Sequence, residues 1–105
     1  MTVSEDALGT LRGRWRPEKT KRLLIGSHID TVIDAGKYDG PMGVVIGILA
    51  VQALHKAGAE LPFGIDVLAF GDEEGSRFRS TLTSSSACAG VFDRAALATT
   101  DSNGV

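Results

Sequence analysis

A chain of 105 residues has room for one small domain and no more. About 43% of it is apolar and 23% charged, the make-up of a globular protein, and a net charge of −2 argues against nucleic acid or an anionic membrane as a partner. The single cysteine, Cys88, excludes an internal disulfide and a cysteine-rich zinc module.

Met1–Thr10 is polar and acidic and lacks the apolar core of a secretory signal. Leu8–Trp15 alternates weakly and is expected to form a short edge strand. The basic residues from Arg12 to Arg22 are interrupted by Gly13, Trp15 and Pro17, which predicts a solvated hairpin or loop. Pro17 and the polar Glu18–Lys21 predict a turn. Arg22–Ser27, with Leu23, Leu24 and Ile25 before Gly26, reads as a buried strand, and Ile33–Tyr38 as a loop around Gly36.

Pro41–Gly58 carries the clearest helical pattern. Pro41 suits the first helical position, and Met42, Val45, Ile46, Leu49, Ala53 and Leu54 recur at helical spacing. Val44, Ile48 and Val51 widen the apolar face, so the helix is expected to be covered on both flanks. His55 and Lys56 in the last turn compensate the helix dipole, and Gly58 stops the helix. Val44–Leu54 is too short to span a membrane, and a cytoplasmic protein is expected.

A turn at Leu61–Pro62 leads to a second buried strand, Ile65–Phe70. Ser85–Val91 reads as a short helix with Cys88 as a small buried thiol, and Arg94–Ala98 as a turn. Thr100–Val105 is polar, and its Asn103-Gly104 predicts a turn leading into further chain. Strand, helix, strand in this order predicts a right-handed βαβ unit, a parallel sheet and an α/β fold whose edges are left unpaired. Sites on such sheets gather at the carboxyl ends of the strands.

The chemistry-bearing residues fall at those ends. His28 and Asp30 follow the first buried strand, Asp39 stands at the entrance of the helix, and Glu73 and Glu74 follow the second strand. An imidazole with several carboxylates suits a divalent ion such as zinc, manganese or cobalt. His28 would supply a nitrogen ligand, Asp30 would fix its ring orientation, and Asp39 could bridge two ions. Adjacent glutamates diverge at a strand end, so one ligates while the other is free to act as general base on the attacking water. Each residue also has a plainer reading. His28 alone is a structural histidine, the glutamate pair a solvated loop, and Asp39 a helix-initiating residue. Arg77 reads equally as a bidentate partner for a substrate carboxylate or as half of a surface salt bridge.

Three stretches carry a family resemblance: Gly26-Ser27-His28-Ile29-Asp30-Thr31-Val32, Gly36 through Val44, and Asp72-Glu73-Glu74-Gly75-Ser76-Arg77-Phe78. They resemble the amidohydrolase branch of the dinuclear zinc-exopeptidase superfamily, which holds allantoate amidohydrolases, N-carbamoyl-L-amino-acid hydrolases and β-ureidopropionases. The Gly-Ser-Arg-Phe continuation points to the carbamoyl and ureido amidases rather than the peptidases. The resemblance implies part of a three-layer αβα catalytic domain with a mixed, mostly parallel sheet. It implies His28, Asp39 and Glu74 as ligands of two divalent ions (Zn, Mn, Co or Ni), with Asp39 bridging. Glu73 becomes the base and Asp30 the residue that orients His28. The substrate implied is a small ureido or amide compound whose C–N bond is hydrolysed, in a homodimeric full-length enzyme. Residues 1–105 would then be the N-terminal fragment of the catalytic domain, without the dimerisation domain and the downstream histidines of the family. The helix that normally precedes the first strand is also absent, and Thr83-Ser84-Ser85 replaces the family's usual Gly-Ser step. The alternatives are a peptidase or deacylase of the same fold and a non-catalytic metal-binding or interaction module.

Overall fold

In the computed structural model, which describes all residues from Met1 to Val105, the chain begins with an antiparallel hairpin. Thr2–Glu5 (β1) pairs with Leu11–Trp15 (β2), Thr2 opposite Arg14 and Glu5 opposite Leu11. Asp6 closes the connection: its Oδ1 accepts the N–H groups of Leu8 and Thr10 at 2.9 and 3.0 Å. Against some loss of hydration, these N–H groups hold the Asp6 carboxyl below the usual aspartate range. The remaining strands are Arg22–His28 (β3) and Gly64–Phe70 (β4), joined through the helix Pro41–Lys56 (α1). The sheet order is β1-β2-β4-β3. It is mixed: β2 runs antiparallel to both β1 and β4, and the parallel pairing is β3 with β4. A short helix Thr83–Cys88 (α2) and a 3-10 turn Arg94–Ala98 follow.

The helix packs on β3 and β4. Gly47 faces Ile25 and Val67 so closely that a Cβ there would lie 3.1 Å from both side chains. Val51, Ile65, Val67 and Trp15 form the buried core, with Ile25, Val44 and Leu54 packed around it. Each fully buried aliphatic side chain of this set contributes about 1.5–3 kcal/mol by leaving water.

Several expectations are corrected. The polar N-terminus forms β1, so β2 is an interior strand, and Arg12 and Arg14 lie on it rather than in a loop. β3 is the edge strand, with Leu23 and Leu24 exposed, because no strand lies beyond it. α1 is covered on one side only: Met42, Val45, Ile46 and Leu49 are exposed. The short helix starts at Thr83 and ends at Cys88, whose thiol is exposed rather than buried.

The central strand β4 hides a charge that its apolar run conceals. Asp66 has 0% exposure and faces away from α1. Arg22 donates to it through Nε at 3.0 Å and through Nη2, and its other donors reach the carbonyls of Trp15, Arg16, Lys19 and Ile65. Arg12 Nε lies 3.0 Å from Oδ2 and Arg14 Nε 3.5 Å from Oδ1. Burial alone would raise the Asp66 pKa; the Arg22 hydrogen bonds and the three guanidinium charges outweigh it and hold the carboxyl below its usual range.

Candidate metal centre

The parallel pairing brings the carboxyl ends of β3 and β4 together, with His28 opposite Phe70. The ladder continues one step, Ile29 N–H donating to the Phe70 carbonyl at 2.9 Å. Beyond it the two following loops are clamped. Asp30 Oδ2 accepts the backbone N–H groups of Glu73 and Glu74 at 2.9 and 3.0 Å, and Ser76 Oγ donates to the Thr31 carbonyl at 2.7 Å. A carboxylate gripping two consecutive N–H groups fixes the direction of the glutamate pair.

His28 is oriented from its own strand end. Its Nδ1 lies 2.8 Å from the backbone carbonyl of Asp30. A carbonyl can only accept, so Nδ1 carries a proton, and in the neutral imidazole the lone pair is then on Nε2, the atom that a ligand would meet. Nε2 is 3.3 Å from Glu74 Oε1. The sequence assigned this orienting task to Asp30, and the atom that performs it is the main-chain oxygen; the carboxylate Oδ1 is 3.6 Å from Nδ1.

Asp39 reaches the same place through the turn before α1. Ser27 Oγ donates to the Gly40 carbonyl at 2.8 Å, tying the turn to β3. Gly40 has φ of +59°, and a Cβ there would meet His28 Nδ1 at 2.5 Å. Only glycine lets the chain pass the imidazole this closely. Gly43 in the first turn of α1 sits equally tightly on Ser27, where a Cβ would be 2.5 Å from Oγ.

As a result His28, Asp39 and Glu74 each offer one ligand atom, and the three atoms lie within 4.8 Å of one another. All three residues are half-buried. No lysine or arginine pairs with Asp30, Asp39, Glu73 or Glu74. Asp39 Oδ2 and Asp30 Oδ1 are buried atoms without a hydrogen-bond partner. Unpaired buried carboxylate oxygens are costly, and two carboxylates with a free imidazole nitrogen are a donor set that fits a divalent cation.

The other site residues lie outside this group. Glu73, 7% exposed, turns towards α2: its Oε1 accepts the Ser85 N–H at 2.9 Å and its Oε2 accepts the Ser85 hydroxyl. Ser85 is the residue that sequence reasoning missed, and nothing in the run Thr83-Ser84-Ser85-Ser86 marks which hydroxyl meets a glutamate twelve positions back. Arg77 is exposed and pairs with Asp101, Nε to Oδ2, at 3.2 Å.

An imidazole and two carboxylates gathered where the parallel strands end form a group that could hold a metal ion, at the place where sites of α/β domains lie. The family model described as peptidase family M20/M25/M40 matches residues 24–100, and the chain belongs to that family. It is 46% identical over 104 residues to an allantoate deiminase of Arabidopsis thaliana, covering 95% of this chain and 20% of that protein. It is 42% identical over 106 residues to an N-carbamoyl-L-amino acid amidohydrolase of Geobacillus stearothermophilus, covering 98% of this chain and 26% of the relative. A solved hydantoinase/carbamoylase family amidase from Burkholderia ambifaria superimposes with a TM-score of 0.90 at 35% identity, over all of this chain and 26% of the other. The chain thus spans about a fifth to a quarter of the length of these relatives.

Proposed function

We propose that the chain is the N-terminal part of a metal-dependent amidohydrolase that cleaves the C–N bond of a linear carbamoyl or ureido compound, of the N-carbamoyl amino acid or allantoate type. The observation that carries this reading is the convergence of His28 Nε2, Asp39 and Glu74 within 4.8 Å in a chain whose relatives act on such compounds. His28, Asp39 and Glu74 would hold the cations. Divalent ions held there would supply Lewis acidity for activating water near neutral pH and polarising a scissile carbonyl.

The chain's own residues do the rest. The Asp30 carbonyl keeps the His28 proton on Nδ1, and the Asp30 carboxylate holds the loop from which Glu74 projects. Glu73 takes the proton of the attacking water and returns it to the departing nitrogen, which requires its carboxylate to leave Ser85. Loss of ammonia and carbon dioxide completes the hydrolysis of a carbamoyl group. The support for amide rather than peptide substrates is the pair of relatives named above and the Gly75-Ser76-Arg77-Phe78 continuation.

Calorimetry tests the site directly. Zinc or manganese is expected to bind at micromolar concentration or better, and His28→Ala to weaken it at least about 100-fold. Binding no better than millimolar, unchanged by His28→Ala, would sink the metal centre. For the substrate, the matched segment of the Geobacillus amidohydrolase is replaced by this chain in one continuous polypeptide. Hydrolysis of N-carbamoyl amino acids supports the reading, and cleavage of dipeptides instead refutes the substrate class.

A further inference from the structure

Glu73 and Glu74 are neighbours in the chain, and one oxygen, Asp30 Oδ2, accepts both of their backbone N–H groups at 2.9 and 3.0 Å. From this common anchor their side chains part. Glu74 Oε1 lies 3.3 Å from His28 Nε2, inside the group that offers ligand atoms. Glu73 is buried, and Ser85 holds its carboxylate outside that group: Oε1 accepts the Ser85 N–H at 2.9 Å and Oε2 accepts the Ser85 hydroxyl. The main chain puts Ser85 in this place. The Leu82 N–H donates to the Glu73 carbonyl at 3.0 Å and the Thr83 N–H to the Asp72 carbonyl at 3.3 Å, so the start of α2 is fastened beside the glutamate. Asp72 and Leu82, at φ of +51° and +55°, are non-glycine residues in the left-handed region at the two ends of this closure. Such conformations persist where the surrounding structure imposes them, and they gather at functional sites.

We propose that Ser85 is a positioning residue that keeps Glu73 out of the coordination sphere of a bound cation, and so leaves Glu74 as the ligand and Glu73 as the base. The inference rests on the metal-centre and base readings of the proposed function. Without a cation, the carboxylates of Asp30, Asp39 and Glu74 repel a further one, and Glu73 needs little to stay away. A divalent cation reverses the sign of that force, because it attracts every carboxylate within reach. A glutamate drawn in as a ligand gives up the lone pair that a base needs, and the two bonds to Ser85 oppose that capture. Donors to an ionised carboxylate are charge-assisted and strong, yet they let go without a covalent change when Glu73 turns to the attacking water. Helix capping accounts for the N–H contact, since the Ser85 N–H is a first-turn donor of α2 and Leu82 supplies no side-chain cap. It does not account for the hydroxyl, which is not a backbone donor and has the Leu82 carbonyl as another acceptor 3.4 Å away.

The test is the zinc affinity of this chain by calorimetry, with the cobalt-loaded chain followed by its visible absorption. Ser85→Ala removes the hydroxyl bond and keeps the N–H. It is expected to tighten zinc about 10-fold, since a further carboxylate adds ligand charge, and to change the cobalt absorption as another oxygen joins the ion. Ser85→Thr keeps the hydroxyl and is expected to match the unsubstituted chain. Adding Glu73→Gln to Ser85→Ala is expected to cancel the gain, because the freed side chain then carries no charge. In the continuous chimera Ser85→Ala is expected to lower kcat about 10-fold or more with KM within about twofold. A role confined to folding would instead lower the amount of folded protein and leave the zinc affinity of the folded chain where it was. Zinc affinity of Ser85→Ala equal to or weaker than that of the unsubstituted chain, a gain that survives Glu73→Gln, or an unchanged kcat in the chimera overturns the proposal. The metal centre still stands in those cases when His28→Ala weakens zinc. If neither the unsubstituted chain nor Ser85→Ala binds zinc, the metal-centre reading fails and takes the proposal with it.

Discussion

Two carboxylate clusters sit on the same sheet and solve opposite problems. Around Asp66 three guanidinium groups meet one carboxylate that is fully buried, and the acid's charge is more than balanced by the protein itself. Around His28, Asp39 and Glu74 two carboxylates meet an imidazole, no arginine or lysine pairs with them, and buried oxygens of Asp39 and Asp30 stay unpaired. The first cluster is a charge-compensated structural network, even though Asp66 Oδ2 and the Nε atoms of Arg12 and Arg14 are also buried without a well-aligned hydrogen bond. The second is a deficit of positive charge placed where the sheet puts sites. The sign and supply of counter-charge, more than the number of acidic groups, is what distinguishes the candidate ligand site from the structural cluster.

The largest effect expected from breaking this contrast is at Asp66. Asp66→Asn removes the charge that holds Arg22 in place and leaves a guanidinium that is 12% exposed facing a neutral group. The loss is expected at about 3–5 kcal/mol, read as a fall in the urea midpoint. It should be the same with and without zinc. A metal-dependent loss would mean that the two clusters are not independent. The same network sets the acid limit of the fold. The Asp66 pKa is lowered on folding, so its contribution is complete above the unfolded value of about 3.9 and is lost as pH falls through the folded value below that. A urea series should therefore show stability dropping below about pH 4, and Asp66→Asn should flatten that drop.

Next comes the charge deficit itself. A cation that binds only the folded chain stabilises it by about 2.7 kcal/mol at a concentration 100 times its Kd. Thermal melts with zinc should rise accordingly, and Asp39→Asn or His28→Ala should abolish the rise while changing the metal-free melt little. If the metal-free protein instead gains as much stability from Asp39→Asn as zinc provides, the deficit is relieved by neutralisation and no ion is needed to explain it.

How far these features could be read beforehand follows from the same contrast. The convergence of His28, Asp39 and Glu74 was legible because β3, α1 and β4 each announce their ends: Ile25-Gly26, Gly40-Pro41 and Phe70-Gly71 are local signals, and the polar residues beside them fall together once β3 and β4 are parallel. The Asp66 network was not, because Asp66 sits inside an apolar run and its partners Arg12, Arg14 and Arg22 come from two other strands. β1 was missed for a related reason. Thr2–Glu5 has no apolar pattern of its own and is held by pairing with β2. The exposure of β3 was also hidden, since Leu23-Leu24-Ile25 reads as buried whether or not a further strand lies beside it. The direction of Glu73 depends on Ser85, a contact between a loop and a helix that no spacing rule relates.

Asp30 links the site to the fold and gives an intermediate effect. Asp30→Ala removes the acceptor of the Glu73 and Glu74 N–H groups but leaves the carbonyl that orients His28. A stability loss of about 1–3 kcal/mol is expected, together with about 10–100-fold weaker zinc binding as Glu74 loses its fixed direction. Asp30→Asn keeps an acceptor oxygen and should retain most of both. Equal loss in the two variants would show that the charge of Asp30, rather than its grip on the loop, is what matters.

The smallest effect is expected at Arg77, and it discriminates between the two readings of that residue. Its guanidinium is exposed and pairs with Asp101, whose carboxyl is held below the usual range first by the N–H groups of Val105 and Asn103 and then by Arg77. With its guanidinium 62% exposed, Arg77 adds little through this pair, so Arg77→Ala should barely move the urea midpoint. In the continuous chimera the same substitution should leave kcat and KM for an N-carbamoyl amino acid within about twofold if the residue only ties the C-terminal turn to the loop after β4. A rise in KM of about 10-fold, at unchanged stability, corresponds to about 1.4 kcal/mol of substrate binding. That outcome would move Arg77 from the surface network to the substrate carboxylate, and the pairing with Asp101 would then be the resting partner that the substrate displaces.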